Sequence, residues 1–283
     1  MRIVAYVLAN VAAVLTVGSI SEQRLVTYES RSAIFVFGLI VVVVVTSPGW
    51  PVVKATFFDW SAAKESFPDV LEGFWLNVRL FLLAEPLILV LGLAVAALRV
   101  TSSPLLAPMR LIAVGYTDLF RGLPTVLVVF LVCFGVPALS LQGVTSSLFW
   151  LALVALVLSY GAYVAEVFRA GIESVHPSQV ASATALGLTH GQIMRHVVVP
   201  QAVRRVLPPL LNDFISLQKD TALVAVVGLS DALGTASDTA NFTFNFTPYL
   251  VAAALFVALT IPLARFTDRF GRRVMERQSA GVR

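Results

Sequence analysis

The feature that most constrains this chain is its succession of apolar runs about 20 residues long, the length a helix needs to cross the hydrocarbon layer of a membrane. Seven are legible, near residues 3–20, 33–50, 73–98, 111–136, 148–168, 206–229 and 248–266. A soluble core built from 283 residues has no room for them. Composition agrees: 58% of the residues are hydrophobic and only 13% charged, roughly half the charge of an ordinary soluble domain. The expected fold class is an all-α membrane protein, a polytopic helix bundle surrounded by lipid. A formal net charge of +4 does not point to nucleic acid here, because in a membrane protein surplus arginine marks the loops held on the cytoplasmic side. The single cysteine, Cys133, lies inside an apolar run, so no internal disulfide is possible.

Basic residues orient the spans. Arg24, Arg31, Arg99, Arg110, Arg169, Arg195, Arg204, Arg205, Arg265, Arg269, Arg272, Arg273, Arg277 and Arg283 fall on one side, against Arg2, Lys54 and Lys64 on the other. The richer side is expected to be cytoplasmic, with the loop after residue 168 and the C-terminus on it. Segment 3–20 reads as a span, as a helix lying flat, or as a cleaved signal peptide, since Arg2 precedes its apolar run and the small residues Val17, Gly18 and Ser19 come at the end of it. The stretch 54–71 mixes Lys54, Asp59, Lys64, Glu65 and Asp69 with Phe57, Phe58, Trp60 and Phe67. It reads as an extracytoplasmic helix at the interface or as a plain connection.

The loop between the fifth and sixth spans does not look like a loop. Ser178 is placed to cap a short helix containing Ala181, Ser182, Ala183, Thr184 and Ala185, and Gly187 fits the left-handed position after its last turn. Thr189 and Gln192 form a capping box for a second helix, expected to stop before Pro200. Pro208 and Pro209 are expected to open the next helix. A helix of such small residues buries little alone, so its use is a close fit against another surface.

With its flanks, this loop resembles the permease subunits of ATP-binding-cassette (ABC) importers, specifically the group that takes up polar amino acids such as glutamate, glutamine, histidine or arginine. The family signature, Glu-Ala-Ala, three residues, Gly, nine residues, Ile, one residue, Leu-Pro, falls at Ala181, Ser182, Ala183, Gly187, Val197, Val199 and Pro200 with its spacing intact. The stretches LFRGLPTVL (119–127), SYGAYVAEVFRAGIESV (159–175) and PQAVRRVLPPLLNDFISLQKDTALVAVVG (200–228) also resemble the amino acid group. Ala181 stands where the family usually has Glu, and Ser182 where it has Ala. The resemblance covers about residues 71–270. It implies a five-helix permease core over that range, containing a coupling loop at 171–205. The two N-terminal membrane segments within 1–70 lie outside it, and a basic cytoplasmic tail follows at 271–283. It further implies that Ser178, Ala181, Ser182, Ala183, Thr184, Leu186, Gly187, Leu188 and Pro200 dock on a separate ATPase dimer. ATP and magnesium would be held there and not by this chain. A second permease, identical or homologous, and an extracytoplasmic solute-binding protein complete the implied assembly, in a bacterial plasma or inner membrane.

Charges at bilayer depth face a cavity or a partner. At 100° per residue Asn212, Asp213, Ser216, Lys219 and Asp220 share an arc of about 120° on the sixth span, while Ser159, Tyr163 and Glu166 share a face of the fifth. Such stripes suit a zwitterion: Lys219 or Arg121 for its carboxylate, Glu166 or Asp213 for its ammonium. They also suit structure alone, with Glu166 pairing Arg169, Lys219 neutralising Asp220 or Asp213, and Arg79 with Glu85 and Asp118 with Arg121 tying helices. Gly122 with Pro124, Pro86 and Pro262 are expected to kink helices. No GxxxxGK[ST], HExxH or GxSxG is present, and His176, His190 and His196 lack ligand-like spacing. Neither metal nor covalent catalysis is expected. The competing classes are a permease for another small solute, a secondary transporter or channel, and a membrane enzyme.

Overall fold

The computed structural model describes residues 35–280 apart from Ser102. The run at 3–20 lies outside the described residues. The chain divides into two compact units, Met1–Ala55 and Thr56–Arg283. In the first, helix α1 spans Phe35–Val45 and exposes its apolar side chains; it is shorter than the span expected at 33–50 and than the roughly 20 residues a crossing needs. Helix α2 covers Trp50–Phe57.

The second unit holds the bundle. Helix α3 (Trp60–Val100, 41 residues) starts at Asp59, whose carboxylate accepts from the backbone N–H of Ser61 and Ala62, and contains Pro68 and Pro86. It passes through residues 70 and 71 unbroken, so the charged stretch from Trp60 onward is the first part of a helix that then enters the apolar run. A short 3₁₀ turn (Pro104–Leu106) leads into α4 (Ala107–Gly122), followed by α5 (Thr125–Ala138). The single span expected at 111–136 is thus two helices, bent by 108°. The reason is local: Pro124 has no N–H to donate and disfavours helical geometry at Leu123, which is extended (φ −101°, ψ 137°).

Helix α6 (Leu148–Glu173) is the axis of the bundle, packed most extensively against α3. Leu80, Ile88, Val128, Val129, Leu156, Leu217 and Val224 form the centre of the core. Small residues allow the helices to approach closely, as association within lipid requires. A Cβ on Gly92 would lie 2.6 Å from a methyl of Val164 on α6, and one on Gly73 would lie 2.6 Å from the carbonyl oxygen of Asp231. After α6 come α7 (Pro177–Ala185), α8 (His190–Ile193) and a π turn, Met194–Val198. Helix α9 (Val199–Asp220) then runs through Pro208 and Pro209 into a 3₁₀ segment, Thr221–Val227. Helix α10 (Ala232–Thr243) and α11 (Thr247–Ala280) complete the chain, and α11 continues through most of the expected basic tail.

By length and composition, three helical stretches suffice to cross a membrane among the described residues, Trp50–Val100, Leu148–Glu173 and Thr247–Val274, or four if α4 and α5 form one broken span. Helix α9 is long enough but too polar to face lipid all round, so its polar stripe must look inward or at protein. Polar bonds tie the periphery together. The Asn77 amide donates to Asp231 at 2.9 Å and accepts from the N–H of Ala232 at 3.1 Å, fixing α10 against α3. Burial pushes the Asp231 carboxyl up, opposed by the hydrogen bonds it accepts from the Asn77 amide and the N–H of Gly234.

Candidate functional site

Helical spacing builds the site. On α9, Arg205, Pro209 and Asp213 recur every four residues and so share one face. Opposite them, α6 presents Tyr163, Glu166, Val167, Ala170 and Gly171, and Arg121 stands in the last turn of α4. These nine residues line one cleft of about 420 Å³. Gly171 lets α6 and α9 approach closely beside it, because a Cβ there would collide with the side chain of Val206 and lie 3.3 Å from the carbonyl of Ala202.

The electrostatics are uneven. Glu166 accepts from Arg99 of α3 at 2.8 Å and from two nitrogens of Arg169, one turn along its own helix. Arg121 stands farther off, at 3.5 Å. Arg169 also pairs with Glu173. Three arginines therefore surround one carboxylate. The structural pairing of Glu166 with Arg169 is present, whereas the ion pairs found among the described residues include neither Arg79 with Glu85 nor Asp118 with Arg121; Arg79 lies over the Phe149 ring at 5.7 Å instead. Asp213 is the opposite case. Its Oδ2 is buried and, among the described residues, has no hydrogen-bond partner, although Glu85 lies within electrostatic reach. An unpaired buried acceptor is costly, and a donor entering the cleft would relieve that cost.

The remaining expected pathway residues are dispersed. Ser159 is buried and bonds the Thr125 hydroxyl at 3.0 Å. Asp220 accepts from Tyr160 at 2.7 Å. Asn212 lines a separate groove with Thr267, Asp268 and Arg272. Ser216 is half-buried outside the cleft, and Lys219 is exposed without an ion pair to Asp213 or Asp220. Gln218, off the polar arc, is buried and accepts from Thr260 of α11 at 2.6 Å. Sequence reasoning treated Arg205 and Arg99 only as orienting charges. The four-residue spacing of Arg205 with Asp213 was the available signal for the first; nothing local marks the second.

The second feature is the elbow. Its first helix is capped by His176, whose Nδ1 accepts from the N–H of Ser178, with Pro177 as the first residue of α7; Ser178 is therefore not the cap. A proline fits there because the first N–H of a helix has no internal partner. Gly187 is left-handed (φ +80°), and the bonds Leu188 N–H to Ala183 O and Gly187 N–H to Thr184 O close the helix as expected. The Thr189–Gln192 capping box is also formed. The chain does not stop before Pro200. The π turn carries it directly into α9, with Pro200 in the first turn, so Pro208 and Pro209 lie inside a helix and do not open one. Ala183, Val175, Ile193 and Val198 form a small buried core, with Leu188 packed on it. Ser178, Ala181, Ser182, Thr184, Gly187 and Pro200 are exposed, and Leu186 is 82% exposed.

Comparison with known proteins agrees with this architecture. The family model described as binding-protein-dependent transport system inner membrane component matches residues 88–276. The arginine transport system permease protein ArtQ of Bacillus subtilis is 33% identical over 218 residues, 77% of this chain and 97% of that protein. The glutamate/aspartate import permease protein GltK of Escherichia coli is 35% identical over 185 residues, 64% of this chain and 81% of that protein. A crystal structure of an amino acid ABC transporter with histidines superposes with a TM-score of 0.69 at 31% identity, covering 76% of this chain and 98% of that one. Elbow and cleft both fall within the matched residues 88–276, and the chain belongs to the family of binding-protein-dependent transport system inner membrane components, as a permease similar to those of amino acid importers.

Proposed function

We propose that this permease forms half of the translocation pathway of an ATP-driven importer for polar amino acids of the glutamate or glutamine kind. The observation that carries the reading is the cleft. Its lining includes both Arg121 and Asp213, whose Oδ2 has no hydrogen-bond partner among the described residues, the pair of charges a zwitterion needs for its carboxylate and ammonium. Tyr163 and Glu166 line the same space, while Ser159, Asn212, Ser216, Lys219 and Asp220 extend the pathway along α6 and α9.

The elbow is the docking surface for a separate ATPase dimer, which binds ATP and magnesium. Exposed Leu186, Ala181, Ser182 and Thr184 would contact it, with Ser178, Gly187 and Pro200 at the margins and Ala183 and Leu188 holding the elbow's own core. Because a ligand shifts a two-state equilibrium only by its differential affinity, ATP bound between the ATPase subunits must favour the outward-open permease, and hydrolysis must release it. This chain makes no chemical bond itself. A second permease copy or homologue closes the pathway, and an extracytoplasmic binding protein delivers substrate. In this reading residues 71–270 are the core, 1–70 an N-terminal extension with two hydrophobic segments and an extracytoplasmic interfacial stretch, and 271–283 a basic cytoplasmic tail, in a bacterial inner membrane with the elbow inside.

The test is reconstitution of the permease with its ATPase and binding protein in vesicles. ATP-dependent uptake of an amino acid is expected, with about a tenfold or greater loss in Asp213→Asn, the scale of one charge-assisted hydrogen bond. Leu186→Glu should abolish uptake while leaving amino acid binding intact. Uptake that needs only an ion gradient would overturn the proposal.

A further inference from the structure

The cleft also discriminates among amino acids, an inference that rests on the amino acid reading above. Two cations line it, Arg121 and Arg205, and two anions, Glu166 and Asp213. The anions are not equally available. Glu166 is already held by Arg99 at 2.8 Å and by Arg169 through both its oxygens. Arg121, at 3.5 Å and with a side chain 40% exposed, is its loosest partner, so turning Arg121 toward a ligand leaves Glu166 doubly paired. Arg205 spends one nitrogen on the carbonyl of Ser174, at 2.6 Å. The guanidinium has further N–H donors to offer. Asp213 keeps a buried oxygen without a partner. Glu85, which interacts with Asp213 from α3, does not line the cleft and adds only to the negative potential on that side.

A ligand therefore meets two available cations and one available anion. A neutral zwitterion would leave one arginine uncompensated, and a cationic amino acid would leave that charge facing a second of the same sign. Both guanidiniums are exposed, so what a second carboxylate adds is a second charge-assisted hydrogen bond that neither of the other classes can make. We propose that the cleft selects an amino acid with a second carboxylate, Arg121 and Arg205 each taking one carboxylate and Asp213 taking the ammonium. The acidic class, and not the amide class, is the cargo that leaves every group paired.

Equilibrium binding of labelled L-glutamate, L-glutamine and L-arginine to the purified permease–ATPase complex tests this without the selectivity of the binding protein. Glutamate is expected to bind about tenfold or more tighter than glutamine, the scale of one charge-assisted hydrogen bond. Arg121→Gln and Arg205→Gln should each remove that preference, Arg205→Lys should retain most of it, and Asp213→Asn should weaken both ligands alike. Preference for glutamine or arginine in the unmodified complex would overturn the acidic assignment alone, as would arginine variants that weaken all three ligands equally. If none of the three binds, both this inference and the amino acid reading fall.

Discussion

Glu166 shows what a single residue can and cannot reveal before its neighbours are known. Its partner Arg169 was legible from a three-residue spacing on one helix. Arg99 was not, because 67 residues separate it from Glu166 and only the packing of α3 on α6 brings them together. The helical wheel placed Asp213 and Lys219 on one polar face, yet the structure separates a buried acceptor from an exposed ammonium. A wheel gives angle but not what lies opposite. Removing the hub's carboxylate leaves three arginines facing one another, so Glu166→Gln should cost about 2 kcal/mol, below the range for breaking a fully buried pair because the group is partly solvated. Thermal unfolding in detergent measures it, and an unchanged midpoint would mean that the arginines are hydrated independently. Gly73→Ala should also lower the midpoint, by about 1–3 kcal/mol of stability, because its Cβ would press on the Asp231 carbonyl and backbone cannot step aside.

Among the elements, sequence reasoning succeeded where a signal was local. The capping box at Thr189, the left-handed Gly187 and the long apolar α6 were all readable, since each depends on a few neighbouring residues. It failed at prolines. Pro124 was expected to kink a span and instead divides it, whereas Pro208 and Pro209 were expected to start a helix and instead sit within one. The two prolines free the carbonyls of Arg204 and Arg205, four residues back, both exposed residues, so the lost bonds fall where other partners can replace them. Proline identity was visible; the surroundings that decide its cost were not. At the elbow, Gly187→Ala should strain the left-handed turn by roughly 1–2 kcal/mol. Coupled uptake is expected to fall while amino acid binding to the complex stays within about twofold, well under the tenfold effect of one strong hydrogen bond. Equal losses in both would show that the turn supports the bundle and not the coupling.

For the whole molecule, the bundle was predictable from apolar run lengths, but the break between α4 and α5 and the continuity of α9 were not; arginine placement predicts its sidedness. Topology is directly measurable. Cys133 is buried and should stay silent, so a Ser182→Cys variant should react with impermeant thiol reagents only from the cytoplasmic face. Labelling from outside would invert the assignment. The π turn at 194–198 has a mechanical consequence. It welds the elbow to α9, which carries Asp213 about 21 Å farther along at 1.5 Å per residue. Pivoting that rod by ten degrees at its root would sweep the carboxylate sideways by about 4 Å, more than the reach of a hydrogen bond. Under the proposed docking and cargo roles, a tug on the elbow would double as a release catch for cargo, with no relay of intermediate side chains needed between them.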